Sequence, residues 1–263
     1  MELIKKLLKI VLYVIVAFIV LIAIAVAIPK LAQDRDKVDS AAKYKKGLEE
    51  VKKNNYSDAL ELFKQSCDEG FAEGCGSLGY SYYKRDGVKH DYAKAAEFFK
   101  KACDGGDATS CFTLGVMYSK GEGVKQDSAK AVELYTNACN KGVADSCNNL
   151  AVMYVTGESV NQDSYKAVEL YTKACDGGVA QSCQGLGGMY YVGIGVKEDK
   201  SKALELFKKA CDGGDAQSCH NLGFMHYQGE GVIQDNAKAA EFFKKACDSG
   251  HTDGCENYKI LNQ

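Results

Sequence analysis

The stretch YAKAAEFFKKACDGGDATSCFTLGVMYSKGEGVKQD, residues 92–127, decides the fold of the chain. Its apolar residues recur at intervals of three and four, first at Ala95, Phe98, Phe99 and Ala102 and then at Leu114, Met117 and Tyr118. This spacing places them on one face of a helix, whereas residues in a strand would alternate. Glycines separate the two runs, so the stretch predicts a helical hairpin.

The same unit fills the rest of the chain without a gap. Five blocks of 36 residues and a last block of 28 lie at 56–91, 92–127, 128–163, 164–199, 200–235 and 236–263. A short hairpin cannot bury its own apolar face unless neighbouring hairpins stack on it. We therefore predict an all-α fold, a solenoid of six helical hairpins. Residues 30–55 are expected to form a linker and an N-terminal capping helix.

Each block has residues that begin and end its first helix. Asn or Asp precedes the helix, where its side chain can accept a hydrogen bond from the free amides of the first turn. A glycine is predicted to end the helix in the left-handed conformation. The predicted caps are Asn55, Asp91, Asp127, Asp163, Asp199 and Asp235, and the glycines are Gly70, Gly106, Gly142, Gly178, Gly214 and Gly250.

The composition excludes several classes of protein. The formal net charge is −2 and the chain has 33 basic and 35 acidic residues, so no basic surplus is present to bind a nucleic acid. One proline, no tryptophan and 46% apolar residues argue against collagen, disorder and most strand-rich folds. We expect no nucleic-acid partner.

The N-terminus predicts an export or anchoring segment at residues 1–29. Basic residues precede an apolar run at 10–28, which is long enough to cross a bilayer, while Ala25-Val26-Ala27 fits a cleavage site. A membrane anchor and a cleaved signal therefore both remain open. Positive charge after the run favours a cytoplasmic C-terminal side, but long domains are translocated largely regardless of charge. The twelve cysteines favour an extracytoplasmic location, periplasmic or secreted.

The cysteines form six pairs with a constant spacing of eight residues. The first member lies at the end of one predicted helix and the second at the start of the next, so the turn can bring their Cα atoms within the ~5.5 Å of a disulfide. We predict one disulfide in each hairpin and no metal or other cofactor. Zinc binding, thiol-redox chemistry and buried free thiols are the alternatives. The pairs are Cys67/Cys75, Cys103/Cys111, Cys139/Cys147, Cys175/Cys183, Cys211/Cys219 and Cys247/Cys255.

The repeat resembles a known family. The pattern of Ala102-Cys103, Gly106, Ser110-Cys111, Leu114-Gly115 and Gly121-Glu122-Gly123-Val124 is similar to the Sel-one-like repeat family, which is related to tetratricopeptide repeats. With a cysteine pair in every hairpin, the chain resembles the cysteine-rich Hcp proteins of bacteria. This resemblance implies a scaffold that binds proteins or peptides. It also implies an alternative, a β-lactam-binding protein with weak β-lactamase activity, whose ligands would be β-lactams or cell-wall compounds.

The sequence alone offers little for that alternative. Ser40-Ala41-Ala42-Lys43 and Ser81-Tyr82-Tyr83-Lys84 match the Ser-x-x-Lys box of serine β-lactamases, but the Ser-Asp-Asn and Lys-Thr-Gly boxes are absent from the sequence. Such matches arise by chance in a lysine-rich chain. We therefore assign no catalytic residue. If the chain is an enzyme, we expect a β-lactamase-type hydrolase of cyclic amides.

Two neighbouring slots differ from block to block and are candidates for recognition. They hold Gly76, Phe112, Asn148, Gln184, His220 and Glu256, and then Ser77, Thr113, Asn149, Gly185, Asn221 and Asn257. Asparagine side chains can hydrogen-bond an extended peptide backbone, so we predict binding at Asn148, Asn149 and Asn221. Unselected variation of a solvent-facing surface is the alternative.

An aromatic stripe recurs in another slot. It comprises Tyr82, Tyr118, Tyr154, Tyr190 and His226. At this spacing, packing between neighbouring hairpins is favoured over a ligand site.

Overall fold

The structure, a computed structural model, describes residues 1–2, 38–84 and 87–262. In this part of the chain every long regular element is an α-helix, and short turns alternate with longer ones. The predicted all-helical repeat of hairpins is therefore confirmed. The helices are α1 (residues 38–52), α2 (Tyr56–Asp68), α3 (Ala72–Lys84), α4 (Tyr92–Asp104), α5 (Ala108–Lys120), α6 (Ser128–Asn140), α7 (Ala144–Thr156), α8 (Ser164–Asp176), α9 (Ala180–Val192), α10 (Lys200–Asp212), α11 (Ala216–Gln228), α12 (Asn236–Asp248) and α13 (Thr252–Leu261).

The chain divides into two compact units, residues 1–105 and 106–263. In the first unit, α3 packs against both α2 and α4. In the second unit, each of α7, α9 and α11 packs against the helix before it and the helix after it. Each of these four second helices is therefore shared between its own hairpin and the next one.

Aromatic rings of the first helices pack on bare backbone of the preceding second helices. A Cβ atom added at Gly115 would lie 2.8 Å from the Tyr135 ring, and one added at Gly187 would lie 2.9 Å from the Phe207 ring. In α7 the same slot holds the fully buried Ala151. The small residue lets the ring approach the helix, which gives close packing between repeats.

Five of the six predicted helix caps are present. Asp91, Asp127, Asp163 and Asp199 each accept a hydrogen bond from the backbone amide three residues ahead, and Asp235 does the same. The prediction for Asn55 is wrong, because its side chain makes no cap and its amide instead donates to Glu50 Oε2 at 2.7 Å.

The hairpin turns have the predicted backbone. All six hairpin glycines have φ between 86° and 105°. Ser159, which stands where the equivalent turns have Gly195 and Gly231, also adopts a positive φ, 58°. The turn geometry is therefore kept although a serine adopts this conformation less readily than glycine.

The aromatic stripe packs between neighbouring hairpins, as expected. Tyr82 stacks on Phe98 with 5.7 Å between ring centroids, and His226 stacks on Phe242 at 5.4 Å. His226 is 6% exposed.

The predicted pairing of the cysteines is confirmed in five hairpins, where each bridge joins residues eight positions apart. Cys103 and Cys111 are also disulfide-bonded cysteines. Bonded cysteines are neither thiolate ligands nor nucleophiles, so the bridges serve the scaffold. The Cα–Cα distances are 4.5 Å for Cys67–Cys75 and Cys247–Cys255, 4.8 Å for Cys139–Cys147, and 4.7 Å for Cys175–Cys183 and Cys211–Cys219.

These Cα–Cα distances lie within the ~5.5 Å expected from the sequence. A backbone hydrogen bond closes the hairpin turn beside the bridge. In the third hairpin the Val143 amide donates to the carbonyl of Ala138 at 3.0 Å. The second cysteines also differ in burial, since Cys75 and Cys147 are buried whereas Cys255 is half-buried.

Among the described residues, no helix has the length and apolar character needed to span a bilayer. The predicted anchor or signal at residues 10–28 lies outside the described residues.

Removal of one bridge should lower the stability of the fold. Cys175→Ala combined with Cys183→Ala should reduce the free energy of unfolding by about 2.5 kcal/mol, because an open hairpin gains conformational freedom when it unfolds. Urea denaturation followed by circular dichroism measures the change. The same pair of replacements at Cys211 and Cys219, whose Cα–Cα distance is also 4.7 Å, provides a matched comparison. Unchanged midpoints in both variants would show that the bridges contribute nothing.

Candidate functional site

The second helices share a face on which the variable slots lie. On α11 this face presents Gln217, His220, Asn221 and Phe224, spaced at i, i+3, i+4 and i+7. We name this set and its equivalents the second-helix face. The equivalents in the second unit are Thr109, Phe112, Thr113 and Val116 on α5; Asp145, Asn148, Asn149 and Val152 on α7; Gln181, Gln184, Gly185 and Gly188 on α9; and Asp253, Glu256, Asn257 and Ile260 on α13.

A pocket of about 370 Å³ opens in this face between α9, α10 and α11. We name it the Gly188 pocket. One end is polar and the rest is apolar. Its lining consists of Gly188, Tyr191, Val192, Phe207, Gln217, His220, Asn221, Phe224 and Met225.

The pocket exists because α9 lacks a side chain at one slot. Gly188 occupies the slot that holds Phe224 on α11. A Cβ atom added at Gly188 would meet no atom within 4 Å. The apolar rim is open to solvent, since Val192 is 56% exposed and Phe224 is 40% exposed. An apolar pocket with a few converging polar groups is typical of a binding site.

A directed chain of hydrogen bonds orients the polar end. The Gly254 amide donates to His251 Nδ1 at 3.1 Å, so His251 Nε2 carries the hydrogen that it donates to Gln217 Oε1 at 3.0 Å. Gln217 Nε2 then donates to Asn221 Oδ1, also at 3.0 Å. Because the Asn221 oxygen is occupied, its amide nitrogen is the group that can donate to a ligand.

His220 forms a second polar contact at the same end. Asn257 Nδ2, which can only donate, lies 3.0 Å from His220 Nε2, so this nitrogen accepts. The His220 ring also stacks on His251 with 4.6 Å between centroids. Burial lowers the pKa of His220, and the nearby His251 lowers it further, whereas Asp253 opposes the change. His220 is therefore neutral at pH 7.

A hydrogen bond fixes the opposite wall. The Tyr191 hydroxyl donates to Glu230, whose other carboxylate oxygen pairs with the Lys200 ammonium at 3.2 Å. This bond to a carboxylate raises the pKa of Tyr191 to about 12, and burial adds to the rise. The ring is therefore held in position as a neutral phenol.

The structure places the three predicted binding residues in different surroundings. Asn148 is 8% exposed, and its Oδ1 accepts a hydrogen bond from Ser182 of α9 at 2.7 Å. It therefore joins two repeats. Asn149, the next residue on α7, is half-buried, and its Oδ1 accepts a hydrogen bond from the Asn148 side-chain amide at 3.3 Å. Asn221 lies on α11 and lines the Gly188 pocket.

Most of the pocket was not foreseen from the sequence. The two variable slots include His220 and Asn221, but not Gly188, Val192 or Phe224. The missed signal is the fourth slot of the second-helix face, which holds Tyr80, Val116, Val152, Gly188, Phe224 and Ile260. A single glycine in an otherwise apolar row indicates a gap.

The two Ser-x-x-Lys matches make the contacts of ordinary helix packing. Ser40 is buried, and its backbone carbonyl accepts the Ser66 hydroxyl at 2.9 Å. Ser81 donates its hydroxyl to the carbonyl of Ser77, one turn back in its own helix, at 3.0 Å. Within the described residues no group of three or more His, Cys, Asp and Glu side chains could hold a metal ion.

A family model of the Sel1 repeat matches most of the chain, which confirms the predicted Sel-one-like resemblance. Each matched unit from residue 72 onward pairs a second helix with the next first helix, and the first match includes most of α1. The matches lie at residues 41–71, 72–107, 108–143, 144–179, 180–215 and 216–251.

Solved structures show the same repeat fold. The chain is similar to c5321, a protective antigen of uropathogenic Escherichia coli with an SLR fold, at 29% identity and a TM-score of 0.81 over 84% of this chain and 48% of that one. It thus spans about half the length of that protein. A Sel1 repeat protein from Oxalobacter formigenes has 23% identity and a TM-score of 0.77 over 81% and 88% of the two chains.

The Helicobacter pylori cysteine-rich protein B is 33% identical over 51% of this chain and 96% of its own, with a TM-score of 0.41. No curated protein matches the sequence.

Two adjacent glycines should respond oppositely to alanine. Gly188→Ala should raise the free energy of unfolding by about 0.5–1 kcal/mol, because alanine favours a helix and the added methyl group meets open space. Gly187→Ala should lower it by about 1–3 kcal/mol, because the methyl group would press on the buried Phe207 ring. Urea denaturation measures both. A similar change in the two variants would contradict the packing described.

His226 should make the fold less stable in mild acid. Burial and the charge of Lys238 lower its pKa, so the unfolded chain takes up a proton first as the pH falls below about 6.5. The Tm should therefore fall between pH 7.5 and pH 5.0, and His226→Tyr should reduce that fall. The reciprocal Tyr190→His, in the equivalent slot of the preceding hairpin, should increase it. Equal pH dependence in all three proteins would exclude this role.

Proposed function

Since the chain belongs to the Sel1 repeat family, we propose that it is a disulfide-bonded scaffold that binds an extended peptide segment of a partner protein outside the cytoplasm. The Gly188 pocket is the observation that carries this proposal. It combines an exposed apolar rim with a fixed amide donor at Asn221. An apolar side chain of a peptide can contact the rim, and a peptide carbonyl oxygen can accept a hydrogen bond from the Asn221 amide.

The rest of the second-helix face supports a peptide in preference to a compact ligand. Amide side chains recur in the slot of Asn221 on other second helices, at Asn149 of α7 and Asn257 of α13. Each can hydrogen-bond a backbone group, because a peptide presents one donor and one acceptor per residue. A repeated row of this kind suits an extended chain.

The disulfides support the proposed location. All twelve cysteines are bonded, and such bonds persist in oxidising compartments and are rare in the cytosol. Export by residues 1–29, as an anchor or as a cleaved signal, remains part of the proposal. The β-lactam alternative rests on family resemblance alone, and no contact in the described residues favours it, so we do not propose it.

Selection from a random peptide library tests the function. We expect the oxidised full-length chain to enrich specific peptides, and Asn221→Ala to weaken their binding about tenfold, because a hydrogen bond to the peptide backbone is lost. Lys208→Ala, on the exposed side of α10, is the matched control and should bind as the wild type does. Fluorescence anisotropy of the synthetic peptides measures the affinities.

Two results would contradict the proposal. One is a library with no enriched peptide, and the other is a set of peptides that bind the Asn221→Ala protein as tightly as the wild type. Circular dichroism verifies that both variants remain folded.

A further inference from the structure

We propose that the Gly188 pocket is a specificity pocket for one uncharged aromatic side chain of the bound peptide. This inference rests on the proposed function and adds to it the chemistry of the residue that enters. It follows from the space above Gly188, the charge of the lining and the kind of side chain that surrounds the space.

The pocket is large enough to hold one large side chain. Its volume of about 370 Å³ lies near the lower limit of pockets that hold organic ligands. Because nothing lies within 4 Å of a Cβ atom at Gly188, an incoming group can reach the surface of α9 itself. The two equivalent slots on α7 and α11 are filled by Val152 and Phe224. Of these three helices, only α9 therefore leaves this slot open.

The lining is uncharged, although 26% of the chain is charged. The same face carries carboxylates on the helices to either side, at Asp145 on α7 and at Asp253 and Glu256 on α13. His220 contributes no charge at pH 7, because its Nε2 accepts the Asn257 amide. No lining residue offers a counter-charge, and the Glu230 carboxylate beside Tyr191 is already paired with Lys200, so neutral side chains are favoured.

Aromatic and thioether groups form most of the apolar wall. Tyr191, Phe207, Phe224 and Met225 are among the lining residues. Aromatic rings attract one another in offset and edge-to-face arrangements, and methionine sulfur adds a favourable contact. An incoming aromatic ring therefore gains more than an aliphatic chain of equal area. The Asn221 amide lies at the polar end, where it can bind the carbonyl next to that ring.

N-acetyl-tryptophanamide is a direct probe, because this chain contains no tryptophan and all indole fluorescence comes from the ligand. We expect saturable binding with a dissociation constant of about 0.1–1 mM, as is usual for a ligand of this size. N-acetyl-phenylalaninamide should compete, whereas N-acetyl-lysinamide and N-acetyl-aspartamide should not. Peptides enriched from the library should also contain an aromatic residue.

Gly188→Leu fills the pocket and should weaken binding of the probe at least tenfold. Val155→Leu places the same side chain at an exposed position of α7 outside the second-helix face and should leave binding unchanged. Melting curves show whether each variant is folded, and Gly188→Leu should melt no lower than the wild type, because its side chain extends into open space.

The outcomes separate the inference from the proposed function. No saturation up to about 10 mM, or equal binding to Gly188→Leu, overturns the aromatic pocket. Enriched peptides that depend on Asn221 would then still support the scaffold function. If the probe binds and no peptide is enriched, the pocket takes a free aromatic molecule. Both the peptide-binding function and the proposal that a peptide side chain enters the pocket would then be wrong.

Discussion

The contact on which the repeat depends is an aromatic ring packed against helix backbone. The ring of Tyr135 lies on Gly115, and the ring of Phe207 lies on Gly187. Two helices of 13 residues have too little apolar surface to be stable alone, so each hairpin needs this contact with its neighbour. A side chain larger than alanine at the glycine slot would separate the helices and expose the ring.

The turns and disulfides act within each hairpin and complement this contact between hairpins. A glycine such as Gly178, with φ at 91°, reverses the chain, and the bridge from Cys175 to Cys183 holds the two helices at that turn. Local closure reduces the freedom of the unfolded chain, whereas the ring contact stabilises the folded one. Because the two effects act on different states, they supplement each other.

The sequence predicts these local features well, since each depends on residues close together in the chain. The period, the cysteine pairing and the hairpin glycines follow from spacing alone. The cap at Asn55 was wrong, because a carboxylate on the preceding helix, Glu50, competes for its side chain. The contact between Asn148 and the next second helix was not predicted: the Asn148 Oδ1 accepts a hydrogen bond from the Ser182 hydroxyl. Such contacts join residues 34 positions apart, and spacing within one block does not reveal them.

The Gly188 pocket illustrates why function was harder to read than fold. Slots that serve stacking keep similar residues because each neighbour imposes the same geometry. A site arises where one repeat departs from the others and its neighbours do not fill the gap. Gly188 removes a side chain from α9, while Phe224 on α11 and Phe207 on α10 keep their places and become walls. The recognition chemistry that we propose for this scaffold therefore lies in the differences between repeats, and the pocket that carries it is formed by three helices.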